Sequence, residues 1–249
     1  MPDLAQELAN NYAAFNDRWK AELSSTETAL ALHSPQYVES YKRLASLNAW
    51  REIVIKNAVN DDVFQFFCEA HNDAVSSHVF ASLGSWRAAL KSLRSCIENT
   101  MFCQYYKDHP VEMRLWLQGK HRPAFSEIFN YFQKHPDIEN LQNDLAGMQG
   151  LKTEYETLSR AVHASSSSFR MTSPGGVTNL WSADHIKLNS WLSRERRTIT
   201  SLNLFLMALN SQALQGAAFP GLRQSISIVI GNRNMRRIIR SNLGINLDI

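Results

Sequence analysis

Apolar residues recur at intervals of three and four along most of this chain, and few segments alternate with a period of two. Residues three or four apart lie on the same side of an α-helix, so this spacing is typical of helices that pack one face against a core. Glycine and proline, which would interrupt such helices, number only ten and seven among 249 residues. The pattern predicts an all-α protein folded as a multi-helix bundle.

Helix-breaking and capping residues divide this periodic pattern into separate helices. The first two helices, over residues 3–32 and 35–58, are predicted to form a hairpin that turns at residues 33–35. Asn60 is a suitable N-cap for the third helix, and Gly84 marks its end. Further helices are predicted at residues 85–108, 111–118, 123–133, 136–162 and 182–214, at 224–230 in preference to a strand, and around 233–240.

The composition is that of a folded protein, with 44% hydrophobic and 20% charged residues. A chain of this length can bury a substantial core. We predict one compact domain with four parts. They are an N-terminal helical hairpin at residues 1–60, a helical core at 61–165, a flexible Ser/Gly-rich loop at 166–182 and a basic helical segment at 183–249.

Three features of the sequence bear on the compartment. Cys68, Cys96 and Cys103 lie in apolar, helix-like surroundings without CxxC spacing, which predicts buried thiols in a reducing environment. The first residues lack the basic start and apolar run of a signal peptide. The longest apolar-rich stretch, residues 199–209, is shorter than the roughly 20 residues needed to cross a bilayer. We therefore expect a cytoplasmic protein without membrane association.

Two of the predicted helices carry polar residues along one face. Arg94 and Glu98 are four residues apart, and they form either a plain surface ion pair or a pair in a groove where the guanidinium binds phosphate. Tyr155 and His163 share a face of the later helix, with Arg160 beside them. His163 is either a C-terminal capping residue or a proton donor and acceptor in phosphodiester cleavage. We call these five residues the polar seam.

Charge is unevenly distributed along the chain. Residues 187–249 contain nine Lys or Arg and two acidic residues, a balance of +7, so the rest of the chain carries −4 within a total of +3. Such an excess suggests nucleic acid or an acidic protein as a partner, although a solvated helix face would look the same. The candidate binding residues are Arg194, Arg196, Arg197, Arg233, Arg236, Arg237 and Arg240.

Several other chemistries lack their sequence signatures. The chain contains no GxGxxG, GxxxxGK[ST] or GxSxG motif, which makes nucleotide-fold enzymes and α/β-hydrolases poor candidates. His71 and His78 lie seven residues apart on one predicted helix, but this spacing matches no zinc motif. We predict neither a metal nor any other cofactor.

The stretch SLRSCIENTMFCQYYKDHP, followed about fifty residues later by YETLSRAVHASS, resembles the HEPN-like helical families of prokaryotic defence and toxin–antitoxin systems. The resemblance covers residues 85–168. It implies a metal-independent endoribonuclease that works as a homodimer or as a subunit of a larger defence complex. Active members carry Arg and His four to six positions apart on one helix, whereas Arg160 and His163 have only two residues between them. A catalytic pair would therefore combine His163 with residues of the other helix.

Two hypotheses follow for the function. In the first, the chain is an anti-phage effector that cleaves RNA, with His163 as general acid or base. Arg94 and Arg160 would then bind phosphate, while Glu98 and Tyr155 orient them. In the second, the chain is a non-catalytic helical subunit that binds nucleic acid or docks onto a larger ATPase or nuclease partner.

Overall fold

The structure is a computed structural model that describes residues 3–141, 144–163, 169–172, 181–216 and 218–248. Over these ranges the chain is predominantly helical and contains no strand, which confirms the predicted all-α, multi-helix bundle. Within the same ranges, no helix is both long enough and apolar enough to cross a membrane.

The N-terminal part contains the two helices predicted there, separated by a single residue. Helix α1 (Leu4–Leu32) and helix α2 (Ser34–Trp50) meet at a turn formed by His33. Helix α2 continues through a π-helical turn (Arg51–Ile55) into the short α3 (Lys56–Ala58). The predicted second helix is therefore one continuous element with a local bulge in its hydrogen bonding.

Helices α4 (Asp61–Ser82) and α5 (Trp86–Asp108) form the most extensive helix pair of the bundle. The Asn60 side chain accepts the backbone N–H of Val63 at 3.0 Å, which confirms the predicted N-cap of α4. Gly84 has a φ of 69° and ends that helix. Its carbonyl oxygen also accepts the backbone N–H of Ser182 at 3.2 Å, so this turn contacts the segment that leads into the C-terminal helices.

One face of α5 is an apolar stripe that lies in the core. Leu90, Leu93, Ile97 and Met101 are buried, and Trp86 packs against them from the edge. Helices α6 (Pro110–Leu117) and α7 (Phe125–Gln133) follow close to their predicted positions.

Cys96 and Cys103 are buried free thiols, as predicted, and burial raises the pKa of Cys103 to about 12. Cys68, also a free thiol, is only partly buried, so that part of the prediction is wrong.

The predicted long helix over residues 136–162 is wrong. The chain forms α8 (Pro136–Glu139) and, after a turn, α9 (Met148–His163). Within the turn, the Asp144 carboxylate accepts the backbone N–H groups of Gln149 and Gly150 at 2.7 and 3.0 Å. A side chain that satisfies N–H groups in the first turn starts a new helix instead of continuing the old one.

The C-terminal third contains α10 (His185–Leu209), α11 (Ser211–Leu214), α12 (Pro220–Val229) and α13 (Arg233–Leu243). The helix predicted over 182–214 is therefore interrupted at Asn210, and the helix preferred over a strand at residues 224–230 is present as α12.

Helix α10 lies at the centre of the bundle and packs on α2, α5, α9 and α12. Its buried residues join a continuous core that extends from Tyr37 in α2 to Leu247 after α13. The predicted N-terminal, core and C-terminal parts of the chain therefore contribute to the same core, whereas most of the predicted loop at residues 166–182 lies outside the described residues. This packing fixes α5 and α9, which carry the polar seam, against α10.

Candidate functional site

Helices α5 and α9 lie side by side in opposite directions. Glu98 near the middle of α5 contacts Tyr155 of α9, and Arg94, one turn earlier on α5, contacts Ser159, one turn later on α9. Arg87, near the start of α5, reaches the end of α9. The two polar faces predicted from the sequence therefore meet along a single line of contact.

Arg94, Glu98 and Tyr155 form a closed triangle of hydrogen bonds. An Arg94 Nη2 atom lies 2.8 Å from Glu98 Oε1 and donates to the Tyr155 hydroxyl at 2.8 Å, and this hydroxyl donates to Glu98 Oε1 at 3.0 Å. Arg94 Nε also donates to the Ser159 hydroxyl at 3.1 Å. Burial raises the pKa of Glu98, although the neighbouring Arg94 opposes this shift. The guanidinium is thus already paired with a carboxylate and fixed by two helices.

An aromatic pair joins the triangle to helix α7 through Tyr155. The Phe125 ring stacks on the Tyr155 ring with centroids 3.7 Å apart and planes 14° apart. Beside this pair, α7 and α9 border a groove of about 520 Å³, which Lys152 and Asn130 also line. Residue spacing could not predict this groove, because its two walls come from different helices whose packing the spacing does not encode.

His163 and Arg160 lie at the edge of the seam, outside the triangle. His163 is the last residue of α9 and is exposed, and within the part of the chain that the structure describes no hydrogen bond joins its side chain. It lies one turn beyond Ser159 on the same helix face, about 6 Å further along the axis. Arg160 is exposed on the same turn. The structure therefore brings together three of the five predicted seam residues.

Arg87 is a further residue of this region that the predicted site left out. Its Nε and Nη2 atoms donate to the carbonyl oxygens of Ala161 and Val162 at 3.0 and 2.7 Å. The last carbonyl groups of a helix have no partner within that helix and carry partial negative charge, so a guanidinium stabilises them. The contact places a fixed cation beside His163. Its sequence signal was the position seven residues before Arg94 on the same face of α5.

A small cavity of about 60 Å³ lies between α5 and α10 at this end of the seam. Arg87, Arg170 and Lys187 line it, and Lys187 Nζ also lies 4.0 Å from Asp184 Oδ2, outside the described lining. Trp86 and Phe169 contribute aromatic walls. Three cations around an aromatic-walled space of this size favour a single phosphate group, because the cavity is too small for a ribose or base. The cations come from three distant segments, so residue spacing could not predict the cavity.

The predicted partner-binding arginines of α10 have different environments. Arg194 and Arg197 donate to the buried carboxylate of Glu154 at 2.9 and 3.5 Å, which ties α10 to α9. Arg196 is exposed, and the Arg197 side chain also remains 63% exposed.

On α13, Arg236 turns back to donate to the carbonyl oxygens of Ser227 and Ile230, both at 2.6 Å, and thus holds α13 against the end of α12. The other predicted arginines of this helix present exposed side chains. They are Arg233, Arg237 and Arg240.

A buried ion pair joins α2 and α10. Arg43 Nε donates to Glu195 Oε2 at 2.8 Å, and both side chains are almost fully buried. Burial raises the pKa of Glu195 to about 6, although its hydrogen bond with Arg43 opposes the shift. A separation of 152 residues hid this pair from sequence inspection. Its position inside the core makes it a structural contact between helices.

His71 and His78 make no common site. The Nδ1 atom of His71 lies 3.0 Å from Arg51, and that of His78 lies 3.1 Å from Ser40. Among the described residues, no group of three or more His, Cys, Asp or Glu side chains is placed to hold a metal ion.

No family model, curated protein or solved structure matches this chain. The geometry of α5, α9 and the cationic cavity is therefore the basis for assigning a function.

Proposed function

We propose that this chain is a HEPN-like, defence-associated protein that cleaves RNA without a metal ion, at a site beside the C-terminal end of α9. The observation that carries the proposal is the grouping of Arg87, Arg170 and Lys187 around one cavity next to the end of α9, where His163 is exposed. Clustered cations stabilise the charge that develops on a phosphodiester during cleavage. An imidazole can give or take a proton near neutral pH.

The residues then divide into two roles. His163 acts as general acid or base, and the three cavity cations hold a phosphate group of the RNA strand. Arg94, Glu98 and Tyr155 act as positioning residues, because their triangle fixes α9 against α5 and leaves Arg94 paired with a carboxylate. This assignment moves Arg94 from the phosphate-binding role expected from the sequence to a supporting one. Arg160, exposed on the turn before His163, remains a candidate for phosphate binding.

The test is RNA cleavage in EDTA by the wild-type chain, by His163→Ala and by a control, His185→Ala, which removes another exposed histidine at the start of α10. General acid–base catalysis contributes about 100-fold or more, so His163→Ala should lose at least that factor. The control should cleave like the wild type. If the RNA stays intact with all three proteins, the proposed nuclease activity is refuted. If all three proteins cleave RNA equally, His163 is not the general acid or base.

The alternative function is nucleic-acid binding without cleavage. Its specific support is that Arg94 is already paired with Glu98, whereas Arg233, Arg237 and Arg240 present exposed side chains on one helix. Binding through such arginines should weaken steeply as salt rises, because each phosphate contact releases counterions. Fluorescence anisotropy with a labelled RNA should then show binding that is lost on replacing these three arginines with Gln, while the RNA stays intact.

A further inference from the structure

The N-terminal half of α1 exposes a stripe of large apolar side chains. Leu4, Leu8, Tyr12 and Phe15 are between 54% and 68% exposed. Their spacings of four, four and three place them on one strip of the helix surface, about 80° wide. Single exposed apolar side chains are common on protein surfaces, whereas a contiguous apolar stripe marks an interaction site.

The same strip continues along α1 as the surface that contacts the rest of the molecule. The Trp19 ring packs edge-on against Trp181 with centroids 6.0 Å apart, and Thr26, two turns later, is buried. Residues 4–15 therefore extend a packed helix face beyond the edge of the bundle. A face that is packed at one end and exposed at the other is suited to a second helix that continues the contact.

We propose that this stripe pairs with the same stripe of a second copy of the chain, as two antiparallel helices related by a two-fold axis. Such an interface must be self-complementary, and this one is. With the axis between residues 11 and 12, Leu4 of each copy faces Trp19 of the other, Leu8 faces Phe15, and the two Tyr12 rings are neighbours. The end of each α1 then abuts the bundle of the other copy beside Trp181.

The charges beside the stripe match this orientation. Glu7 and Arg18 lie on the same flank of α1, and like flanks face each other in an antiparallel pair, so Glu7 of each copy lies beside Arg18 of the other. Arg18 also pairs with Glu22 of its own copy at 3.1 Å. A parallel pair would bring Glu7 against the opposite flank, where Ala5 and Ala9 carry no charge.

The size of the stripe is sufficient for a reversible dimer. The four side chains expose about 500 Å² in each copy, so pairing removes about 1,000 Å² from water, near the lower limit for specific interfaces. A membrane surface fits the stripe less well. Residues 3–20 contain three acidic and two basic side chains, whereas helices that lie on anionic membranes carry an excess of Lys and Arg.

The experiment measures the mass of the full chain by sedimentation across the micromolar range. Wild-type protein should dimerise, and Leu8→Asp with Phe15→Asp should raise the dimer dissociation constant at least about 100-fold, since charge enters the centre of the interface. The matched control, Gln6→Asp with Ala13→Asp, adds the same charge on the outer face of α1 and should dimerise like the wild type. All these sites are exposed, so circular dichroism should show unchanged helix content.

A charge exchange tests the antiparallel orientation. Glu7→Arg alone should weaken the dimer about tenfold, and adding Arg18→Glu should restore it. A monomeric wild type, or a dimer that is unaffected by Leu8→Asp with Phe15→Asp, would overturn the proposal. A monomeric wild type that sediments with phosphatidylserine vesicles, while Leu8→Asp with Phe15→Asp does not, would overturn it in favour of a membrane surface.

Discussion

Gly147 and Gly119 share a left-handed backbone conformation but differ in their surroundings. Their φ angles are 67° and 71°. A Cβ atom at Gly147 would overlap the carbonyl oxygen of Ser201, whereas nothing lies within 4 Å of one at Gly119. The Ala substitution should therefore cost about 1 kcal/mol of unfolding free energy at Gly119, from backbone strain alone. At Gly147 it should cost roughly 3 kcal/mol or more, from strain and overlap together.

Urea denaturation of the two variants measures this difference directly. Equal losses of unfolding free energy would contradict this prediction. They would show that the start of α9 can move away from Ser201 of α10 at little cost. The Gly119→Ala variant serves as the control, because it carries the same φ penalty without a neighbour.

At the level of single residues, the sequence predicted that the polar faces of two helices meet, but it did not predict the individual hydrogen bonds between them. The Arg94–Glu98 ion pair was an expected alternative, since residues four apart are neighbours on any α-helix. The bond from Arg94 to Tyr155 spans 61 residues and depends on how two helices pack, which spacing does not encode. The same reason explains why Arg87 was left out of the predicted site.

A buried ion pair joins helices α2 and α10. Replacing one of its two residues should reduce the unfolding free energy more than replacing both. Glu195→Leu leaves the buried guanidinium of Arg43 without its partner and should cost about 3–5 kcal/mol of unfolding free energy. Arg43→Met with Glu195→Leu removes both charges and should cost much less, because apolar side chains can fill the same space.

Thermal and urea unfolding of Arg43→Met, Glu195→Leu and the double variant completes a double-mutant cycle. Additive losses, with the double variant the least stable, would mean that the two charges do not depend on each other. The surface pair Lys42–Glu39, at 2.7 Å on α2, provides a control cycle in which coupling should stay below about 1 kcal/mol.

Helix boundaries were predictable where one local residue decides them. Asn60 begins α4 with its side chain, and Gly84 ends it with a positive φ, and both residue types are typical of these positions. The break before α9 was missed because Asp144, at a φ of 55°, satisfies backbone groups five and six residues ahead. An aspartate in a periodic segment gives no sequence sign that it will do so.

For the whole molecule, the continuous core predicts a single unfolding transition. Trp50 in α2 and Trp191 in α10 are both fully buried in that core, so their fluorescence reports on its packing. Denaturation followed by fluorescence and by far-UV circular dichroism should give coincident curves. Separate midpoints would instead indicate that the N-terminal helical part or the basic C-terminal segment unfolds independently.

The arrangement of the bundle was beyond what periodicity can predict. A helical pattern shows which face of a helix is buried but not which helix covers it. The apolar-rich stretch at residues 199–209 was a sign that α10 is buried on all sides, but it did not identify the neighbouring helices. The division of the chain into hairpin, core, loop and basic segment followed composition. Residues as distant as Tyr37 and Leu247 nevertheless share one core, because packing depends on shape and not on local composition.

Both ends of the chain between α9 and α10 are attached to the first turns of α5. Arg87 binds the last carbonyl groups of α9, and Trp86 Nε1 donates to the Ser182 carbonyl at 3.0 Å. Once two anchors are fixed, lengthening the connection costs little, about 0.6 kcal/mol for each doubling. A peptide inserted between these two anchors, outside residues 169–171, should therefore leave the bundle and the lining of the cationic cavity intact.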